Sequence, residues 1–202
     1  MKRLAPLLLL VVLLNVAKAQ SVRENLFYVT PELNLGNYIG IGVDLNYLIK
    51  EEYSVKAGYT INRRKPVTQP KDFTHGDIPS LSLLSSNDPR QYFDNFQVEF
   101  GKIYYLDKKR RIRTNFAVGI GYTRMSEPIN WLRNGNLVTS SFSWDVKKTN
   151  GFSIILNPKI EFPLSRYYGF TFSLMLIANK EMAYFGIGVG QMIGKLKSKI
   201  KS

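Results

Sequence analysis

Catalysis needs reactive side chains, and this 202-residue chain holds few: no Cys and a single His. Without Cys there is no thiolate nucleophile, disulfide, zinc-thiolate or iron–sulfur site. One His excludes a His pair or a His-rich metal centre, so neither metal nor cofactor is expected. That residue, His75, sits in Phe73-Thr74-His75-Gly76-Asp77-Ile78-Pro79-Ser80, with Asp77 and Ser80 close in sequence. A Ser–His–acid relay needs its three groups held at hydrogen-bonding distance by rigid elements. This run reads as a loop, so the adjacency reads as composition and no catalytic residue is assigned. A lipid-modifying enzyme centred on His75 is the alternative. Gly119-Ile120-Gly121 and Gly186-Ile187-Gly188-Val189-Gly190 imitate phosphate loops, yet lack the following helix and Lys-Ser/Thr pair. What remains is charge. Glu32, Asp44, Glu99 and Glu161 fall on the same side of a two-residue repeat as Lys56, Arg113 and Lys159. Four acids against three bases predict an interior salt-bridge network, because buried charges must be paired.

The elements that would gather those charges are strands. Ile39, Ile41, Val43, Leu45, Tyr47 and Ile49 alternate with Gly40, Gly42, Asp44, Asn46 and Leu48. The same period of two recurs near residues 27–35, 53–62, 96–101, 115–123, 152–162, 169–176 and 185–190. Eight strands of roughly ten residues match the length a tilted transmembrane strand needs. The fold class is therefore all-β: an eight-stranded antiparallel up-and-down transmembrane β-barrel with a chargeable, glycine-rich inside. A soluble sandwich or lipocalin-like barrel would place Lys, Glu and Thr on its polar face. Here that face carries Gly40, Gly42, Gly58, Gly101, Gly119, Gly121, Gly186, Gly188 and Gly190, which suit a narrow lumen. Tyr47, Tyr53, Tyr104, Tyr105, Tyr122, Tyr167, Tyr168 and Tyr184 lie near strand ends, as interfacial girdles would. Connections alternate short and long, with long loops expected at about residues 63–92 and 125–150 and a tight turn near Gly36-Asn37. Pro31 and Pro158 should mark bulges or strand ends. Lys102 falls in the lipid phase; it either snorkels at a rim or signals a bulge at Gly101.

The compartment is read from the first residues. Met1-Lys2-Arg3, an apolar run from Leu4 to Leu14 and Ala17-Lys18-Ala19 have the pattern of a cleaved secretory signal peptide at 1–19. The mature barrel would be residues 20–202, with a short basic C-terminal tail at about 195–202. The formal charge of +13 loses three signal-peptide cations on cleavage. An exported barrel meets no nucleic acid; its expected partners are outer-membrane lipid and lipopolysaccharide. Arg63, Arg64, Lys65, Arg133, Lys147 and Lys148 on the long loops are candidate lipopolysaccharide contacts. With both barrel ends on the short-turn side, both termini would be periplasmic in a Gram-negative envelope, and the barrel would be monomeric. The interior network reads as a plug, with a narrow pore as the alternative. Trp131 and Trp144 would cap the second long loop or rest at the membrane interface.

Tyr38-Ile39-Gly40-Ile41-Gly42-Val43-Asp44-Leu45, Phe116-Ala117-Val118-Gly119-Ile120-Gly121-Tyr122 and Tyr184-Phe185-Gly186-Ile187-Gly188-Val189-Gly190 resemble the outer-membrane β-barrel domain family that includes PorT-like proteins and small OmpA/OmpX-type barrels. The resemblance spans most of residues 20–194. It implies a non-catalytic structural, adhesive or accessory role, or a secretion or envelope-assembly accessory that holds a protein partner. Barrels resembling the OmpA and OmpX type often end on an aromatic residue. This chain ends Gly194-Lys195-Leu196-Lys197-Ser198-Lys199-Ile200-Lys201-Ser202 instead.

Overall fold

Strict alternation makes each segment bury one face and expose the other, which a pleated strand satisfies and a helix does not. A computed structural model describes residues 24–73, 89–134 and 141–198, and no helix occurs among them. The strands are β1 (Leu26–Gly36), β2 (Ile39–Ile49), β3 (Tyr53–Arg64), β4 (Gln91–Tyr105), β5 (Arg113–Asn134), β6 (Ser141–Pro163), β7 (Tyr168–Ala178) and β8 (Ala183–Lys195). Each pairs antiparallel with the next, and β8 returns to β1, so the sheet closes into an eight-stranded barrel. Closure leaves no strand edge, which a sheet in hydrocarbon cannot carry. The apolar phase points outward: Ile41, Val98, Phe116, Ile120, Phe152 and Ile187 are all exposed, while the polar phase is buried. This is a soluble protein turned inside out, and only lipid suits such a wall. The signal-peptide segment and the His75 run, residues 74–80, lie outside the described residues.

Several expectations about the strands are corrected. The long loop expected at 125–150 is a β-hairpin. β5 and β6 run on as a ribbon well past the other strands, with a register shift between Ile129 and Leu132. At its base the pairs Ser126–Lys148 and Glu127–Lys147 are polar on both phases, and beyond them the shift between Ile129 and Leu132 breaks the period of two. Pro31 and Pro158 produce neither bulges nor strand ends. Both lie mid-strand, and register is unchanged across them. Each faces its missing N–H toward one neighbour: β1–β8 pairing skips Thr30 and Pro31, and β6–β7 pairing skips Asn157 and Pro158. Lys102 needs no bulge. It stays outward over the rings of Tyr53 (5.8 Å) and Tyr104 (5.6 Å), and Ile103 remains buried inside. Tyr184 points into the barrel, and Tyr105 turns partly inward, so neither belongs to an outer girdle.

Three turns, β2–β3, β4–β5 and β6–β7, lie at the end of the barrel that carries both termini. Lys50 and Glu51 both adopt positive φ (51° and 55°), and the Glu52 N–H donates to the Ile49 carbonyl at 3.0 Å, a type I′ hairpin without glycine. The Lys50 N–H is met by Asn25 Oδ1 (2.9 Å). Between β4 and β5, the exposed Asp107 carboxylate accepts the backbone N–H groups of Ile112 (2.8 Å) and Arg111 (2.7 Å). These donors, Ile112 foremost, hold the Asp107 carboxyl below the ordinary Asp range. A carboxyl whose folded pKa is depressed stabilises the fold above its unfolded value of ~3.9 and loses that contribution as pH falls through the folded value. Amide-exchange protection at Arg111 and Ile112 should therefore drop on acidification, and Asp107→Ala should remove it at neutral pH. Equal protection in the variant would refute the role.

Candidate functional site

Cross-strand register sets opposite charges face to face inside the barrel. Lys56 on β3 and Glu99 on β4 are directly paired, with Nζ and Oε2 2.7 Å apart. Arg113 on β5 and Glu161 on β6 are likewise paired, Nε to Oε2 at 2.6 Å. Lys159 does what no adjacent pair can: from β6 it crosses the lumen to Glu32 of β1 (2.6 Å) and Asp44 of β2 (2.7 Å). Neutral donors complete the set. The Tyr28 hydroxyl donates to Glu161 (2.7 Å), Gln97 Nε2 to Asp44 (3.2 Å), and the Ser173 hydroxyl to Glu32. Lys56 also donates to Asn157 Oδ1 at 3.2 Å. All seven charged residues are at most 6% exposed. The space is tight enough that a Cβ on Gly188 would meet the Glu32 carboxylate and the Ser173 hydroxyl.

Apolar side chains cap this charged middle at both ends. At the end bearing the long connections, Tyr38, Phe93 and Tyr184 meet with ring centroids 4.9, 5.5 and 6.2 Å apart. Met125, Ile155, Met175, Ile177 and Met182 complete that cluster. Arg64 lies over it, its guanidinium 4.3 Å from the Tyr38 ring and its Nε donating to Gln91 at 2.6 Å. At the terminus end, Leu26, Tyr28, Leu48, Ile103, Met192 and Leu196 pack together. Leu196 falls within the segment read as a short basic C-terminal tail. Gly194, at φ 139°, turns the chain there, and Leu196 is fully buried. The Leu196 carbonyl accepts from Arg113 Nη1 at 3.0 Å, and the Ser198 backbone N–H donates to Glu51 at 3.1 Å. Neither cap was found from the sequence. Its signal was there: apolar residues on both phases, as in Leu48-Ile49, Ile154-Ile155 and Leu176-Ile177.

The candidate lipopolysaccharide cations do not form one group. Arg63, Arg64 and Lys65 lie at the end of β3, where Arg64 is committed to the inner cap. Arg133 pairs with Asp72 (3.4 Å) near the hairpin tip. Lys147 and Lys148 are exposed on β6. Trp131 packs at a tilt against Trp144 (ring centroids 5.4 Å) and edge-to-face against Phe73 (5.3 Å), and its Nε1–H donates to Thr68 Oγ1 (3.2 Å). The two Trp side chains thus tie the projecting hairpin to the segment after β3. No group of three or more His, Asp or Glu among the described residues is placed to hold a metal ion.

No protein-family model and no curated protein matches the chain. Solved structures do. A major outer membrane protein from Thermus thermophilus superposes with a TM-score of 0.54 at 10% identity, covering 85% of this chain and 99% of its own. The N-terminal β-barrel domain of Pseudomonas aeruginosa OprF gives 0.52 at 9% identity, covering 85% and 98%. Identities this low establish a shared fold: this chain has the architecture of small outer-membrane barrels.

The interior geometry makes Lys159 its keystone. Lys159→Met leaves Glu32 and Asp44 buried without their cation, a change expected to cost about 3–5 kcal/mol. The triple variant with Glu32→Gln and Asp44→Asn should recover most of that loss. Urea unfolding in a fixed lipid, read by heat-modifiable migration, checks both, and a neutral single variant would refute the keystone role.

Proposed function

We propose that the protein is an integral outer-membrane barrel with a non-catalytic structural or adhesive role, sealed to solutes and acting through its outward surface. The filled interior carries this reading: an apolar cap, a paired charge layer and a second apolar cap succeed one another along the axis. A pore would need a continuous wet path, whereas both mouths are closed by side chains at or below 9% exposure. The leader-like first residues and the lipid-facing wall support export to the outer membrane. The chain ends then lie in the periplasm and the projecting hairpin lies outside. A second reading, an envelope or secretion accessory binding a protein partner, is favoured by that hairpin. It presents exposed Leu132 and Val146 beside the Trp131–Trp144 pair, beyond the last β4–β5 pairing.

Envelope fractionation should place the full chain in outer membranes, with migration that shifts on heating. In planar bilayers the purified barrel should give no steady current at moderate voltage. Persistent open conductance would overturn the sealed reading, and recovery of the chain as a soluble periplasmic protein would overturn the membrane reading as well.

A further inference from the structure

The outer wall is not uniform. On the face formed by β3 to β6 a cleft of about 370 Å³ opens among Ala57, Val98, Ile120, Phe96, Tyr122 and Phe152. Cross-strand register sorts the surroundings into rows. Ala57, Val98 and Ile120 are partners in sequence across three strands and form an apolar floor. One step toward the hairpin end, Tyr59, Phe96, Tyr122 and Phe152 form an aromatic row, with Tyr59 and Phe96 centroids 4.4 Å apart. The next row holds Asp94 and Arg124, and the one after it Arg63 and Lys148. Successive rows are two residues apart, ~7 Å along a strand.

We infer that this cleft is a specific site for one molecule of lipopolysaccharide, taking an acyl chain against the Ala57 floor and the lipid's phosphates at the Arg124 and Lys148 rows. The order of chemistry along the wall is that of a phosphorylated lipid: hydrocarbon, then an interfacial aromatic belt, then cations. Arg124 couples the two zones. Its guanidinium lies 5.7 Å from the Phe96 ring at the cleft edge, while Nε and Nη2 hold Asp94 Oδ2 at 2.8 and 2.6 Å. Asp94 fixes the planar fork at the boundary without covering it, for the Arg124 side chain remains 54% exposed. Lys148 is exposed on the projecting strand, where a charge-assisted contact to phosphate forms without desolvating a buried group. The site rests on the proposed orientation, which puts the hairpin end in the outer leaflet.

Native mass spectrometry of the full chain, extracted from outer membranes in mild detergent, tests it. The wild type should retain a single lipopolysaccharide adduct. Ala57→Phe, which fills the cleft from the lipid side, should abolish the adduct. Lys148→Glu should weaken retention about tenfold, the equivalent of one charge-assisted contact. Heat-modifiable migration reports whether Ala57→Phe folds; Lys148 lies beyond the wall and carries the test if it does not. Unchanged adducts in the folded variants, phospholipid adducts in place of lipopolysaccharide, or a mass of two chains would each overturn the inference. Fractionation is read separately, so an outer-membrane barrel without the adduct defeats the site and leaves the proposed function standing.

Discussion

A sheet in hydrocarbon must satisfy every backbone N–H and C=O from within, and it can do so only by closing on itself. The β1–β8 ladder performs that closure here, and much else follows from it. Eight strands fix a lumen just wide enough for side chains to fill and to cross. The inward phase must then be filled by groups that fit and are paired. Gly188 is small because Glu32 and Ser173 already occupy the space its side chain would need. Lys159 is long because Glu32 and Asp44 stand on the opposite wall.

The apolar caps and the charge layer depend on each other. Ion pairs in a low-dielectric interior are strong only if competing water is kept out, and the Tyr38–Phe93–Tyr184 and Leu26–Met192–Leu196 clusters do this from either end. The caps in turn are anchored by polar groups. Arg113 links Glu161 below to the Leu196 carbonyl above, and Tyr28 belongs to both the terminus-end cluster and the Glu161 pair. The interior behaves as one interlocked column rather than a stack of independent layers.

The sequence was most informative where one rule governed a whole strand. Alternation in β2 and β8 exposed their faces directly, and the charged residues of the polar phase could be collected before any strand was paired. Alternation failed where both faces are buried or both are wet. Ile155, Ile177 and Leu48 lie on the inward phase and break the pattern, so the caps looked like noise. The hairpin pairs Glu127–Lys147 and Ser126–Lys148 are polar on both phases, so a ribbon looked like a loop. Lys50-Glu51-Glu52 is legible as a short connection, but its turn type is not: its left-handed residues are neither glycine nor asparagine, and its support comes from Asn25, which is distant in sequence. Lys159 could be placed inside, but its choice of partners could not, since that depends on which strands face each other across the lumen.

The two mid-strand prolines divide the barrel unequally. Pro31 thins the β1–β8 seam and Pro158 the β6–β7 seam, whereas the β7–β8 ladder between them is continuous. The last hairpin is thus a stave joined to its neighbours less firmly than to itself. Two contacts fasten that stave from inside: Ser173 of β7 donates to Glu32 of β1, and the Leu196 carbonyl after β8 accepts from Arg113 of β5. A closed ring has no weakest place by symmetry, yet this one has two thinned seams, set by where its prolines fall.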